Sequence, residues 1–137
     1  MKTRSVLTAD DAALISAACQ AEAIRNGWAM SVAVVDDGGR VISQIRYDGA
    51  GYATPDVALR KAQTSAMNRK PSAAAEQATL ERLTMLAFND RLPLQGGLPV
   101  MVDGQCAGAV GVSGGLSPQD EQVAQAGIAA LGLGGVK

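Results

Sequence analysis

Two stretches of this chain repeat one design. Ser31-Val-Ala-Val-Val35, the Asp36-Asp-Gly-Gly39 turn and Arg40-Val-Ile-Ser-Gln-Ile-Arg46 read as strand, tight turn and returning strand. Leu98-Pro-Val-Met-Val102, Asp103-Gly104 and Gln105 to Val112 read the same way. Two such hairpins predict a single antiparallel sheet of four to five strands, and the segments around them must supply its cover. The expected class is therefore α/β in the broad sense (α+β), one domain over residues 1–137 with helices packed on one sheet.

The covering helices carry their own start and stop signals. Thr8-Ala-Asp-Asp11 places an acid three residues after a hydroxyl, which is capping-box chemistry, and Asn26-Gly27 ends the helix that follows. Leu14, Ala17, Ala18, Ala21, Ile24 and Trp28 recur at helical spacing and predict its buried face. Pro55 to Asn68 and Ser72 to roughly Leu86 read as two more helices, separated by Pro71. At the far end Ser117 is the expected cap, Pro118 suits the first helical position and Asp120 completes a capping box. Val123, Ala124, Gly127, Ile128 and Leu131 form its apolar stripe, and the tail from Gly132 to Lys137 is expected to fray.

Composition narrows what fills the core and what the chain can do. Hydrophobic residues make up 47% but aromatics only 3%, so Ala, Val, Leu and Ile must build the core, with Trp28 and Phe88 as the large pieces. Eleven of the 16 glycines lie at or after Gly96, which points to close backbone approaches late in the chain. There is no histidine. That excludes Ser–His–Asp and Cys–His nucleophile pairs and histidine-ligated metals, leaving carboxylates, Lys, Arg, hydroxyls, two thiols and backbone amides. A net charge of −1 without a basic run argues against nucleic acid, and no apolar run is long enough for a membrane span. Cys19 and Cys106 read as free buried thiols in a reducing cytoplasm, and the first ten residues do not resemble a signal peptide.

Four segments can carry chemistry. Gly111-Val-Ser-Gly-Gly115 leads from a strand into a helix, so the amides of Ser113, Gly114 and Gly115 either hold an anion or simply turn the chain, with Asp120 filling the helix start. Lys61, Thr64, Ser65 and Asn68 share one helix face with no acid four residues before the lysine. That face is solvated, lines a pocket, or forms a polar subunit contact. Arg46 and Asp48 leave the second strand on the same side, where they pair or Arg46 clamps a carboxylate. Gln95-Gly-Gly-Leu-Pro99 marks a place where another backbone or a ligand comes close.

Ser31-Val-Ala-Val-Val-Asp-Asp-Gly-Gly39, Arg46-Tyr-Asp-Gly49, Lys61-Ala-Gln-Thr64, Gly96-Gly-Leu-Pro99 and Gly108-Ala-Val-Gly-Val-Ser-Gly114 with Gln119-Asp-Glu121 together resemble the GlcG/HbpS-like family, often called the haem-degrading domain family. The resemblance runs in order from about Leu7 to Leu131. It implies a profilin-like fold that assembles into dimers or higher homo-oligomers. It also implies a mixed set of roles: extracellular haem binding, the C-terminal part of some corrinoid adenosyltransferases, and operons for the breakdown of glycolate or other small molecules.

The missing imidazole sets this chain apart from the haem-binding members. The leading expectation is a cytoplasmic protein that binds a small anionic or polar metabolite, with no resident cofactor, no metal, no nucleic acid and no membrane. If it is an enzyme, of isomerase or lyase type, Asp48, Lys61 and Glu76 supply acid–base groups. Arg46, Thr64, Ser65, Ser113, Gly114 and Gly115 then bind the ligand, around the meeting of the Lys61/Thr64 face with the glycine turn. Two alternatives stand beside it. One is a haem or corrinoid tetrapyrrole held through a non-histidine ligand, and the other is a structural oligomeric accessory protein.

Overall fold

The computed structural model describes residues 1–133, so residues 134–137 of the tail expected to fray lie outside the described part. Helix α1 spans Ala9–Asn26, and strands β1 (Ser31–Asp36) and β2 (Val41–Arg46) form the first hairpin. Helices α2 (Thr54–Asn68) and α3 (Ser72–Glu81) follow, then a 3₁₀ helix at Leu83–Ala87. The second hairpin is β3 (Gly97–Val102) and β4 (Gln105–Ser113), and α4 covers Ser117–Ala129. The strand order is β2-β1-β4-β3, antiparallel throughout. The two hairpins thus meet through β1 and β4 at the centre, with four strands in one sheet as the sequence predicts.

Side chains alternate across each strand, so the sheet has two unlike faces. Val32, Val34, Val100, Val110 and Val112 point to one face, where α1 and α4 cover them with Ile15, Cys19, Val123 and Ala124. Ala33, Val35 and Ala109 point to the other, where α2 brings Ala58, Ala62 and Ala66. That second layer is thin because glycine lets it be. Gly97 and Gly111 are register partners on β3 and β4. A Cβ on Gly111 would collide with Ala58 O and Ala62 N, and one on Gly97 with Lys61 O. The α2 backbone therefore rests directly on the sheet backbone. The glycines before β3 mark the approach of another backbone, one of the two readings their sequence allowed.

Helix α1 starts as expected. Thr8 Oγ1 accepts from Asp11 N–H at 3.2 Å, Asp11 Oδ2 accepts from Thr8 N–H at 2.9 Å, and Gly27 closes the helix at φ 73°. Its buried face is a different one, made of Ala12, Ile15, Ser16, Cys19 and Ala23. Leu14 and Ile24 are 54% and 65% exposed. Both faces have helical spacing, and the inner one carries Ser and Cys where the outer carries Leu and Ile, so counting apolar residues selects the wrong side. Ser16 Oγ is accommodated 3.3 Å from Ser43 Oγ on β2. Nor do the two large aromatics fill the core: Trp28 is half-buried at its edge and Phe88 is exposed.

Two other expectations shift. The helix predicted over Ser72 to Leu86 breaks at Arg82, whose backbone is extended, and resumes as the 3₁₀ turn. No Gly or Pro marks that break. Leu116 rather than Ser117 holds the cap position of α4, and Gln119 Oε1 accepts its N–H at 3.0 Å. Asp120 does not complete a box with Ser117, because its carboxylate turns inward.

Both cysteines are free and buried. Cys19 donates its S–H to Val123 O at 3.3 Å, and burial pushes its thiol from 9.0 up to about 12. Native protein at pH 8 is therefore expected to leave Cys19 unalkylated by iodoacetamide, with labelling appearing on unfolding in urea, as read by peptide mass. The folded value is raised, so the stability from this thiol is complete below pH 9.0 and declines as pH climbs toward about 12.

Candidate functional site

Lys61 reaches from α2 past the start of β3 to the opposite layer. Its ammonium donates to Asp120 Oδ2 at 2.8 Å and to Val112 O at 3.1 Å, with the two side chains only 3% and 2% exposed. Asp120 Oδ1 accepts from Gly115 N–H at 2.9 Å. Burial raises the Asp120 carboxyl above the usual carboxylate range, while the hydrogen bonds from Lys61 and Gly115 and the lysine charge hold it down. The lysine, the glycine turn and the start of α4 do meet. Within the chain they meet around Asp120, which engages both the ammonium and one turn amide.

Thr64 and Ser65 on that helix face are buried as well, and Asn68 is half-buried. Thr64 Oγ1 donates to Arg60 O at 2.8 Å and accepts from Leu92 N–H at 2.9 Å. Asn68 Oδ1 accepts from Arg91 Nε at 3.1 Å. Ser65 Oγ is buried without a hydrogen-bond partner, close against Gly97. The polar face of α2 thus serves the 92–97 segment that leads into β3. Ser72 Oγ pins that segment further, donating to Leu94 O at 2.6 Å and accepting from Gly97 N–H at 2.8 Å. Glu76 Oε1 takes the Gln95 N–H at 3.1 Å.

Arg46 sits on the same sheet end as Ser113, two strands away, because Ser31 pairs with both. It does not pair with Asp48 among the described residues. Its guanidinium lies 4.7 Å from the ring centroid of Tyr52, itself 85% exposed, and the 46–52 segment surrounds an open cleft of about 420 Å³. Asp48 lines that cleft with Arg46, apart from Glu76, which is engaged with Gln95.

A more apolar space lies where no sequence signal placed it. The C-terminal end of α2, the inner side of α3 and the 3₁₀ turn enclose a groove of about 320 Å³. Ala75, Ala78, Leu86 and Phe88 form its apolar wall, Lys70 and Arg91 stand in its lining as cations, and Met85 contributes a thioether. Arg91 is held firmly: it stacks 4.5 Å from the Phe88 centroid and bonds Asp90 Oδ1 at 2.8 Å besides Asn68. Exposed Leu80 and Leu83 lie beside it in the chain. No local sequence pattern marks it, and only tertiary placement turns these residues into a concavity.

A four-stranded antiparallel sheet with helices on both faces defines an α+β protein, and the apolar groove with its two cations is its candidate ligand site. The family model described as "Haem degrading protein HbpS-like" matches residues 7–129, and the chain belongs to that family. It is 41% identical over 114 residues to Protein GlcG of Escherichia coli K12, covering 82% of this chain and 85% of GlcG. A crystal structure of a double mutant of HbpS from Streptomyces reticuli superposes with a TM-score of 0.89 at 33% identity, over 96% of this chain and 90% of that one. The crystal structure of a PduOC:heme complex shares the fold, with a TM-score of 0.85 at 24% identity over 96% and 99%.

These relationships correct the expectation of no cofactor, since the family is described by haem degradation and its fold has been solved in a haem complex. Absence of histidine removes one axial ligand and not the rest of what holds a tetrapyrrole. Haem needs an apolar wall for its ring, cations for its two carboxylates and one donor for iron. The groove's wall, Lys70 with Arg91, and the Met85 sulfur fit those needs in kind. Its volume stands at the small end for ligand pockets, so part of a large ring would extend past the rim. Among the described residues no group of His, Cys, Asp or Glu is arranged to hold a bare metal ion, and no helix is long and apolar enough to cross a membrane.

Proposed function

We propose that this protein binds a haem-type tetrapyrrole in the groove between α2, α3 and the 3₁₀ turn, through a non-histidine ligand. The observation that carries the reading is the composition of that groove: apolar wall, two cations and a thioether in one concavity. Family membership supports it from outside. Lys70 and Arg91 orient the ring by its carboxylates, and the pinned Arg91 does so at little cost in side-chain entropy. Ala75 and Ala78, small residues of the wall, would let a flat ring approach α3 and keep water from it. When bound, the iron supplies redox and ligand-exchange chemistry.

The reading includes self-assembly. Leu80 and Leu83, each 69% exposed, stand in the chain between the groove residues Thr79 and Met85, and a second copy covering them would also shield the part of the ring left outside. Two free buried thiols suit a reducing cytoplasm. One experiment tests the proposal: titration of hemin into the protein, followed by light scattering of the loaded species. Saturable binding near one hemin per chain is expected, on particles heavier than the 13.9 kDa chain. Ala78→Trp, which fills the groove, is expected to weaken binding at least tenfold with helicity unchanged. Undiminished hemin affinity in that folded variant would place the ring elsewhere.

A further inference from the structure

We infer that the sulfur of Met85 is the protein's donor to the iron in this groove, a step that rests on the tetrapyrrole reading above. The argument is one of access. With histidine absent, the side chains that can donate to haem iron are cysteine, methionine, tyrosine and a neutral lysine. Cys19 is fully buried in the α1/α4 layer with its S–H on Val123 O, and Cys106, its S–H on Gly108 O, belongs to a different cleft beside Gln105 and Met101. Tyr47 Oη is occupied, donating to Ser16 O at 3.1 Å on the other side of the sheet. Tyr52 lies in the separate 46–52 cleft, under Arg46.

The other methionines are also elsewhere. Met1 is exposed at the start of the chain and outside the groove lining, Met30 is fully buried in the larger core, Met101 lines a cleft with Lys2 and Arg4, and Met67 one with Arg40 and Arg60. Met85 alone brings a sulfur to the groove wall. It is the one half-buried residue of the 3₁₀ turn, flanked by exposed neighbours, so the turn directs that side chain inward. Lys70 is the competing donor on the same lining. As an ammonium it has three donors and no lone pair, which suits a carboxylate of the ring rather than its iron.

A thioether is soft, neutral and carries no proton, so its bond to iron does not depend on pH, and it favours the ferrous state. Both consequences can be read without any turnover assay. Hemin-loaded wild type, Met85→Leu and Lys70→Gln would be compared by visible and near-infrared absorption and by redox titration. Leucine nearly conserves the volume of Met85, and circular dichroism checks that the fold is kept. The wild type is expected to show a thioether-to-ferric charge-transfer band that is constant from pH 6 to 9.

Met85→Leu is expected to keep hemin while losing that band, with a lower midpoint potential. Lys70→Gln is expected to keep the band and bind more weakly. Met85→Leu with hemin bound and both signatures intact would overturn the assignment while leaving the groove standing. A band lost in Lys70→Gln and kept in Met85→Leu overturns it in favour of the amine. No saturable hemin binding by the wild type removes the groove reading and this assignment together.

Discussion

Asp120→Ala is expected to destabilise the protein by about 3–5 kcal/mol, because it strands a buried ammonium. Lys61 is 3% exposed and would keep only the Val112 carbonyl. Gly115 N–H would lose its acceptor at the same time. Lys61→Met is expected to cost less, about 1–3 kcal/mol, since Asp120 can take a proton and still accept from Gly115. The pair Lys61→Met with Asp120→Leu is expected to recover most of the loss of Asp120→Ala. Urea unfolding followed by circular dichroism measures all three. A loss below 1 kcal/mol for Asp120→Ala would mean that water reaches the lysine and that the two layers are not joined through this contact.

Gly111→Ala is expected to cost about 3 kcal/mol, the upper part of the range for overpacking, from a single methyl. The added carbon would meet backbone atoms of Ala58 and Ala62, and backbone cannot rotate aside as a side chain can. The helix must lift from the sheet, opening the contacts of Ala58 and Ala62 with Ala33 and Ala109. Gly104→Ala makes the control: that turn has open space around it, so only its φ of 77° is strained and the loss is expected near 1 kcal/mol. Equal losses in the two variants would show that the close approach at Gly111 relaxes freely.

The hairpins were readable from sequence because everything that defines them is local: alternation by two, and turn residues at fixed offsets. The α1 capping box was readable for the same reason. The face that α1 buries was not, since the choice between Leu14 with Ile24 and Ile15 with Cys19 depends on what lies opposite. Lys61 stood out as a charge with no acid four residues before it. Its partner, 59 positions away, was read as a local cap because Asp120 sits where a capping acid would. Both Asp120 readings begin from the same helix start, and burial of the lysine decides between them. The groove had no local signature at all. It arises from alanines, a 3₁₀ turn with no breaker to announce it, and an arginine 23 positions from the asparagine that holds it.

The contact of α2 with the sheet through Gly97 and Gly111 also bears on how this chain can change. Where valines and isoleucines interlock, under α1 and α4, one methyl can be exchanged for another elsewhere and volume is kept. Beneath α2 there are almost no methyls to exchange: the spacing is set by main chain on main chain. Sequence drift is therefore expected to be lopsided, free on the valine side and nearly frozen at the glycines and alanines of the other. A designer wishing to graft a new function onto this scaffold would do best to leave that seam alone and work from the helices across the sheet.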